Sequence, residues 1–289
     1  MLGLNKRQLA EDIRRWLDED IGMGDLSSMA TIPEDHRSIG IIHMKEAGIV
    51  AGLPAAELVF AIVDPELTFI SQVSEGQAVD KGTIVAQIVG RSKSILVGER
   101  LALNLMQRMS GIATQTRRYV DALGGLSTRL ADTRKTTPGH RMLEKYAVRI
   151  GGGHNHRFGL FDAVMIKDNH IKAAGGVTTA IRSARAQVPH TIKIEVEVEH
   201  FDQLNEAIEA QADIIMLDNM SLDRMKEAVA RIKHVAPHII VEASGGVQLD
   251  TIKSIAETGV DVISVGRLTY SVEALDISLD LNEQKGSAT

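Results

Sequence analysis

The chain of 289 residues contains no cysteine. That excludes disulfides, thiolate-bound zinc, iron–sulfur clusters and a cysteine nucleophile, and it agrees with a reducing compartment. Aromatic residues are scarce, at 3%, so the core must be built from Leu, Ile, Val, Ala and Met. Stacking of bases on exposed rings, a usual mode of single-strand binding, has little to work with. Positive charge is in deficit: 32 Lys and Arg against 38 Asp and Glu leave a net charge of −6, which argues against a nucleic-acid partner. Long apolar runs are missing too. The longest, Ala47 to Val63, is interrupted by Pro54 and Glu57 and falls short of the ~20 residues a membrane span needs. The opening MLGLNKRQLAEDIRRWLDED is charged from Lys6 onward and has no apolar signal region. The expectation is a soluble, cytoplasmic protein that engages neither membrane nor nucleic acid.

At one domain per ~150 residues, the length allows two domains or one large barrel. Leu9, Ile13, Trp16, Leu17 and Ile21 recur at spacings of three and four, which predicts an opening amphipathic helix. The turn-rich GMGDLSS follows, and then strand-like runs at Ser38–Met44, Leu67–Val73 and Thr83–Val89, punctuated by Gly76 and Gly82. SEGQAVDKGTIVAQIVG is similar to the hairpins of lipoyl and biotinyl carrier domains, but no exposed Met-Lys-Met turn accompanies it. A small β-rich domain with helices on one side is the favoured reading. Val97–Leu123 reads as a long helix, with Leu101, Leu105, Met109 and Ile112 on one face and Leu103 and Met106 widening it.

From about residue 128 short aliphatic runs alternate with helical segments. The runs are Thr128–Asp132, Ala163–Ile166, Thr191–Val198, Ile214–Leu217, Ile239–Ala243 and Val262–Val265. Between them, Thr178–Gln187, Phe201–Ala210, Ser221–His234 and Leu249–Thr258 carry helical periodicity. Such alternation predicts a parallel sheet with right-handed crossovers. Six strands suggest a barrel or partial barrel, with an open doubly wound sheet as the alternative.

In a βα barrel the working residues sit at the C-terminal ends of the strands. Here the strands end in Thr133-Arg134-Lys135, Lys167-Asp168-Asn169-His170, Glu197 with Glu199, Asp218-Asn219, Ser244-Gly245-Gly246 and, after Val265, Gly266-Arg267. One polar ending is a turn; six in series describe a rim. The last two fall where barrels build phosphate sites from backbone N–H groups, and glycine lets the backbone approach an anion closely. Between Arg129 and Lys172 nine Lys and Arg face four acids, and His140, His154, His156 and His170 lie in the same window. The positions at strand ends and around Gly151–Arg157 favour an anion pocket over a solvated basic face. A histidine–zinc site at His154 and His156 is disfavoured by the cationic surroundings. Glu197 and Asp218 are placed to hold Mg²⁺, which binds through one or two carboxylates plus substrate phosphates, or to stabilise a cationic transition state. Glu195, on the same strand face, competes for either role.

TRKTTPG, GGGHNHR, IKDNH, EVEVE, LDN and EASGG, in this order, resemble quinolinate phosphoribosyltransferase, also called carboxylating nicotinate-nucleotide pyrophosphorylase. GDLSS, GERLALNLMQRMSGIAT and LDISLDLN extend the likeness over nearly the whole chain. Where the family pattern has a small residue and then LTHS, this chain has Arg267-Leu268-Thr269-Tyr270-Ser271. The resemblance implies an α/β protein with an N-terminal α/β sandwich over 1–110, joined by 272–289, and a partial (β/α) barrel of parallel strands over 111–271. It implies that quinolinate and phosphoribosyl pyrophosphate give nicotinate mononucleotide, carbon dioxide and pyrophosphate, with Mg²⁺ as cofactor. Lys135, Glu197 and Asp218 are the implied catalytic residues, the two acids holding the metal. Substrate contacts are implied for those three and for Arg100, Thr133, Arg134, His156, Arg157, Lys167, Ser244, Gly245, Gly246, Val265, Gly266 and Arg267. A homodimer or a multiple of dimers is implied, with Arg100 reaching the partner's site. Nicotinate phosphoribosyltransferase, which takes a monocarboxylate, and a non-catalytic sugar-phosphate-binding barrel are the rival readings.

Overall fold

The computed structural model describes residues 3–283; residues 1, 2 and 284–289, included in the expected domain spans, lie outside them. The chain divides into two compact units. The first comprises the chain up to Gln115, Met142–Gly151 and the segment from Val272; the second comprises Thr116–Arg141 and Gly152–Ser271. The segment 142–151, expected within the barrel, thus belongs to the first unit.

The first unit opens with the helix Lys6–Ile21. The Asn5 side chain caps it by accepting the Gln8 N–H, and Leu9, Ile13 and Leu17 form its buried stripe. Strands β1 (Arg37–Met44), β2 (Gly48–Ile49), β3 (Thr68–Ser71), β4 (Ala78–Val79) and β5 (Ile84–Arg91) follow. β1 lies between β5 and the last strand, Ile277–Glu283, and β3 extends the sheet beyond β5; all these pairs are antiparallel. Burial alternates along β1, with Ser38, Gly40, Ile42 and Met44 inward, the two-residue period of a half-buried strand. Each fully buried Ile or Phe here, such as Ile42, Phe60 and Ile88, contributes roughly 1.5–3 kcal/mol over its exposed state.

A helix at Leu53–Val63 stands where the sequence suggests only a broken apolar run. Pro54 sits in its first turn, where a missing N–H costs nothing. The Glu75 carboxylate accepts the Gly52 and Leu53 N–H groups at 2.7 and 3.0 Å, placing negative charge on the positive end of the helix. The long helix runs Ser92–Ala122, starting five residues earlier than its periodicity suggests.

The second unit holds β6 (Arg129–Ala131), β7 (Val164–Ile166), β8 (Ile194–Val198), β9 (Ile214–Asp218), β10 (Ile240–Ser244) and β11 (Val262–Ser264). Every pair is parallel and the order is β6-β11-β10-β9-β8-β7. The first strand therefore pairs with the last, as in a barrel, while β6 and β7 remain edges. This is a partial barrel rather than an open doubly wound sheet. The Asp213 carboxylate accepts the Ile194 N–H and that of Asp261 accepts the Val241 N–H, at 2.9 and 2.7 Å. These acids secure the strand starts and leave the opposite ends for loops. β8 begins at Ile194 rather than Thr191, because the Ile192 N–H turns back to the Pro189 carbonyl. Glu199 lies exposed beyond the strand end, so the expected three-acid face reduces to Glu195 and Glu197. The expected helix Leu249–Thr258 shortens to Ile252–Ala256.

Candidate active site

The C-terminal ends of the parallel strands surround one cavity of about 760 Å³ in the second unit. Every residue expected at the site from Thr133 to Arg267 lines it, joined by Met165, Met216, Asn219, Val247, Gln248, Ser264 and Tyr270. Arg100 lies exposed on the long helix, in the first unit.

The cavity is rich in cations held close together. Burial, and then the positive Arg134 nearby, pull the Arg157 pKa below that of a free guanidinium. The Arg134 Nε is buried and, among the described residues, has no hydrogen-bond partner. Arg157 donates one guanidinium N–H to the Ala163 carbonyl at 3.1 Å. The Lys167 ammonium pairs with the Glu197 carboxylate. A cation cluster that repels itself and leaves a buried donor unpaired is unfavourable in isolation and becomes favourable when an anion enters.

The loop that carries these groups is tied down by Asp132, at the end of β6. This fully buried carboxylate accepts the Asn155 amide at 2.6 Å and the His156 N–H at 2.8 Å. The His156 Nε2 lies 3.2 Å from Glu195 and 3.5 Å from Glu242, and its Nδ1 accepts the Arg157 N–H at 2.7 Å. Burial opposes charge on this imidazole, but the hydrogen bonds to the two acids outweigh it and raise its affinity for a proton. The Arg157 N–H needs the Nδ1 lone pair, so it opposes the second proton that the acids would attract and keeps the one proton on Nε2. Burial raises the pKa of Glu195, and Glu242 acts in the same sense. The three ligand atoms lie within 4.8 Å of one another, a metal-like spacing, with the imidazole nitrogen nearer Glu195 than Glu242.

At Gly245 the backbone demands glycine, and at Gly266 neighbouring side chains crowd the Cβ position. Gly245 has φ +95°, and a Cβ there would meet the Asn219 Oδ1 at 2.1 Å. A Cβ on Gly266 would lie 2.8 Å from the Tyr270 ring and 3.0 Å from the Lys135 side chain. The Lys135 ammonium stands 5.9 Å from the Tyr270 ring centre, at the outer reach of a cation–π contact, and the Thr269 hydroxyl donates to the Lys135 carbonyl at 2.7 Å. Asp218 and Glu197 face the same space. The Asp218 carboxylate accepts from the Asn219 amide at 2.9 Å through one oxygen.

A strongly cationic floor, a glycine-bounded rim and two carboxylates match a site for a polyanion. The family models agree: residues 25–110 match the quinolinate phosphoribosyl transferase N-terminal domain and residues 112–280 the C-terminal domain. The chain belongs to the quinolinate phosphoribosyltransferase family. It is 48% identical over 269 residues to a probable nicotinate-nucleotide pyrophosphorylase [carboxylating] of Synechocystis, covering 93% of this chain and 91% of that one. It is 45% identical to the Bacillus subtilis protein of the same description, covering 96% and 95%. The crystal structure of NadC from Streptococcus pyogenes superposes with a TM-score of 0.93 at 42% identity, over 98% of this chain and 99% of that one.

Within this quinolinate phosphoribosyltransferase framework, the basic window divides. Arg134, Lys135, Arg157 and Lys167 line the cavity. Arg141 instead braces the loop, donating to the Thr136 hydroxyl at 2.9 Å and to the Phe158 carbonyl at 3.1 Å. Lys145 and Arg149 belong to the first unit, and Lys172 pairs with Asp168 at the surface. His154 is exposed and forms a backbone bridge to Ala131 rather than a ligand pair with His156. Two site-building residues escaped the sequence reading: Asp132, which passes as the end of a strand, and Glu242, hidden inside an aliphatic run. The signal for both was a lone acid in a strand predicted to be buried.

Proposed function

We propose that this chain joins quinolinate to the ribosyl group of phosphoribosyl pyrophosphate with loss of carbon dioxide, giving nicotinate mononucleotide and pyrophosphate. The observation that carries the reading is the Arg134–Arg157 pair, with a buried Arg134 Nε lacking an acceptor among the described residues. A dicarboxylate supplies the missing acceptors, since each guanidinium can grip a carboxylate through two parallel hydrogen bonds. Lys167 completes the acid-binding side, with the His156 ring on the cavity wall beside Arg157, and the loops at Ser244-Gly245-Gly246, Val265, Gly266 and Arg267 take the ribose 5-phosphate. Thr133 joins the rim beside Lys135.

The pyridine nitrogen attacks the anomeric carbon as pyrophosphate departs, so positive charge grows on the sugar and negative charge on the leaving group. Lys135 meets the leaving group, and Glu197 and Asp218 favour the developing ribosyl cation. The same two carboxylates fit a magnesium ion: each is on the cavity wall, and oxygen donors shared with substrate phosphates are what that ion takes. When bound, magnesium supplies charge neutralisation at the pyrophosphate. Once the nitrogen is quaternary, the pyridinium stabilises the electron pair left at C2 as carbon dioxide leaves, and a proton replaces it.

The protein acts as a cytoplasmic homodimer or multiple of dimers in which Arg100 enters the partner's site. No helix among the described residues is long and apolar enough to cross a membrane. The test is substrate choice. With phosphoribosyl pyrophosphate and Mg²⁺, quinolinate should be converted to nicotinate mononucleotide and nicotinate should be turned over at a small fraction of that rate. Equal turnover of the monoacid would overturn the diacid reading.

A further inference from the structure

Glu195 and Glu242 are the least expected groups beneath this cavity. Both are buried, at 1% and 3% exposure, and they come from β8 and β10, the strands on either side of β9. Two carboxylates under a pocket for a dianion repel the substrate and each other. They are retained against that cost only if they hold something the site requires.

What they hold is His156. Its Nε2 sits between the two acids, 3.2 Å from Glu195 and 3.5 Å from Glu242, while Nδ1 accepts the Arg157 N–H at 2.7 Å. The Glu242 Oε1 has no hydrogen-bond partner among the described residues, so Glu195 is the nearer hold and Glu242 acts by charge. Both ring nitrogens are thereby committed to the protein. The imidazole is a rigid link, with the acids at one end and the Arg157 backbone at the other. Asp132 fixes the same peptide from below through the His156 N–H. The guanidinium that follows has one N–H secured to Ala163 and lines the cavity with the rest. The Glu195 Oε1 has no hydrogen-bond partner among the described residues, so the acid is oriented by this one contact.

We infer that Glu195 and Glu242 are positioning residues for the diacid, acting through the His156 ring to set the place of Arg157. The inference rests on the quinolinate reading above. It separates these acids from Glu197, two residues along the strand, which faces the cavity itself.

Steady-state kinetics tests it with the substrates varied separately. Glu195→Met removes the acceptor at similar length and should raise the quinolinate KM about tenfold or more, the loss of a charged hydrogen bond, leaving the phosphoribosyl pyrophosphate KM little changed. Glu195→Gln keeps an acceptor for the Nε2–H and should recover most of the loss. In a His156→Ala background the Glu195→Met factor should vanish. A parallel rise in both KM values, or a full Glu195→Met factor without His156, would overturn the inference. Nitrogen-15 spectra of histidine-labelled wild type need no variant to fold. They should find the His156 proton on Nε2 and a lone pair on Nδ1; the opposite tautomer contradicts the linkage. Failure of the quinolinate reading is distinct: wild type would not turn quinolinate over, whatever the tautomer.

Discussion

Replacing Arg134 with Met should separate binding from stability. The Arg134 Nε is buried without an acceptor among the described residues, and the Arg134 charge opposes that of Arg157. An unsatisfied buried donor costs ~1–3 kcal/mol, and Met keeps most of the apolar stem without it. The variant should therefore melt no lower than wild type. Recovery of ~1 kcal/mol would raise Tm by roughly 2–4 °C in a protein of 150–250 residues, and somewhat less here. Binding should move the other way. Loss of a charged hydrogen bond to a carboxylate costs ~1.5–3 kcal/mol, a rise of about ten- to a hundredfold in the quinolinate KM. The assays are calorimetric melting and initial rates against each substrate. A lowered Tm with an unchanged quinolinate KM would refute the reasoning and make Arg134 a structural residue.

Asp218→Asn keeps the size and capping ability of the side chain but removes its charge. Turnover should fall at least a hundredfold, ~2.7 kcal/mol, with only partial recovery at high Mg²⁺ and a normal melt; near-normal turnover would reduce Asp218 to a structural partner of Asn219. Mixed under exchange conditions, Arg100→Ala and Lys135→Ala subunits, each inactive alone, should regain activity in hybrids, and no recovery would place Arg100 outside the partner's site. Asp64 accepts from Arg91 at 2.9 Å and Ser94 at 2.7 Å, and chiefly the Arg91 hydrogen bond lowers its pKa from 3.8 to about 2. Its stabilisation is complete above the unfolded value and is lost as pH falls through the folded one. Asp64→Asn should cost about 1–2 kcal/mol near neutrality, allowing for the half-exposed Arg91, and that deficit should shrink between pH 4 and pH 2 in denaturant titrations.

The barrel was legible because each of its strands is a short aliphatic run followed by a polar or glycine ending, and the alternation with helical periodicity admits few topologies. The helix Leu53–Val63 was not legible, because it is apolar on nearly every side and begins with a proline that reads as a break. Its cap, Glu75, is twelve residues beyond its end. The helix Arg141–Ile150 was absorbed into the basic window. Only in three dimensions does Glu144 become buried against Arg108 at 2.8 Å, outside the cavity's chemistry. Much of the cavity lining followed from the strand ends, whereas His156 and Arg157 lie on a loop and were legible only through the basic window and the family likeness. The groups that hold it in place, Asp132 just past β6 and Glu242 within β10, have roles that depend on which strands become neighbours.

The direct test of the central claim is the stoichiometry of the purified protein given quinolinate, phosphoribosyl pyrophosphate and Mg²⁺. Carbon dioxide and pyrophosphate, followed together, should appear one for one from the first turnover, with nicotinate mononucleotide accumulating in step. Pyrophosphate released without carbon dioxide, or neither released while quinolinate binds, would contradict it.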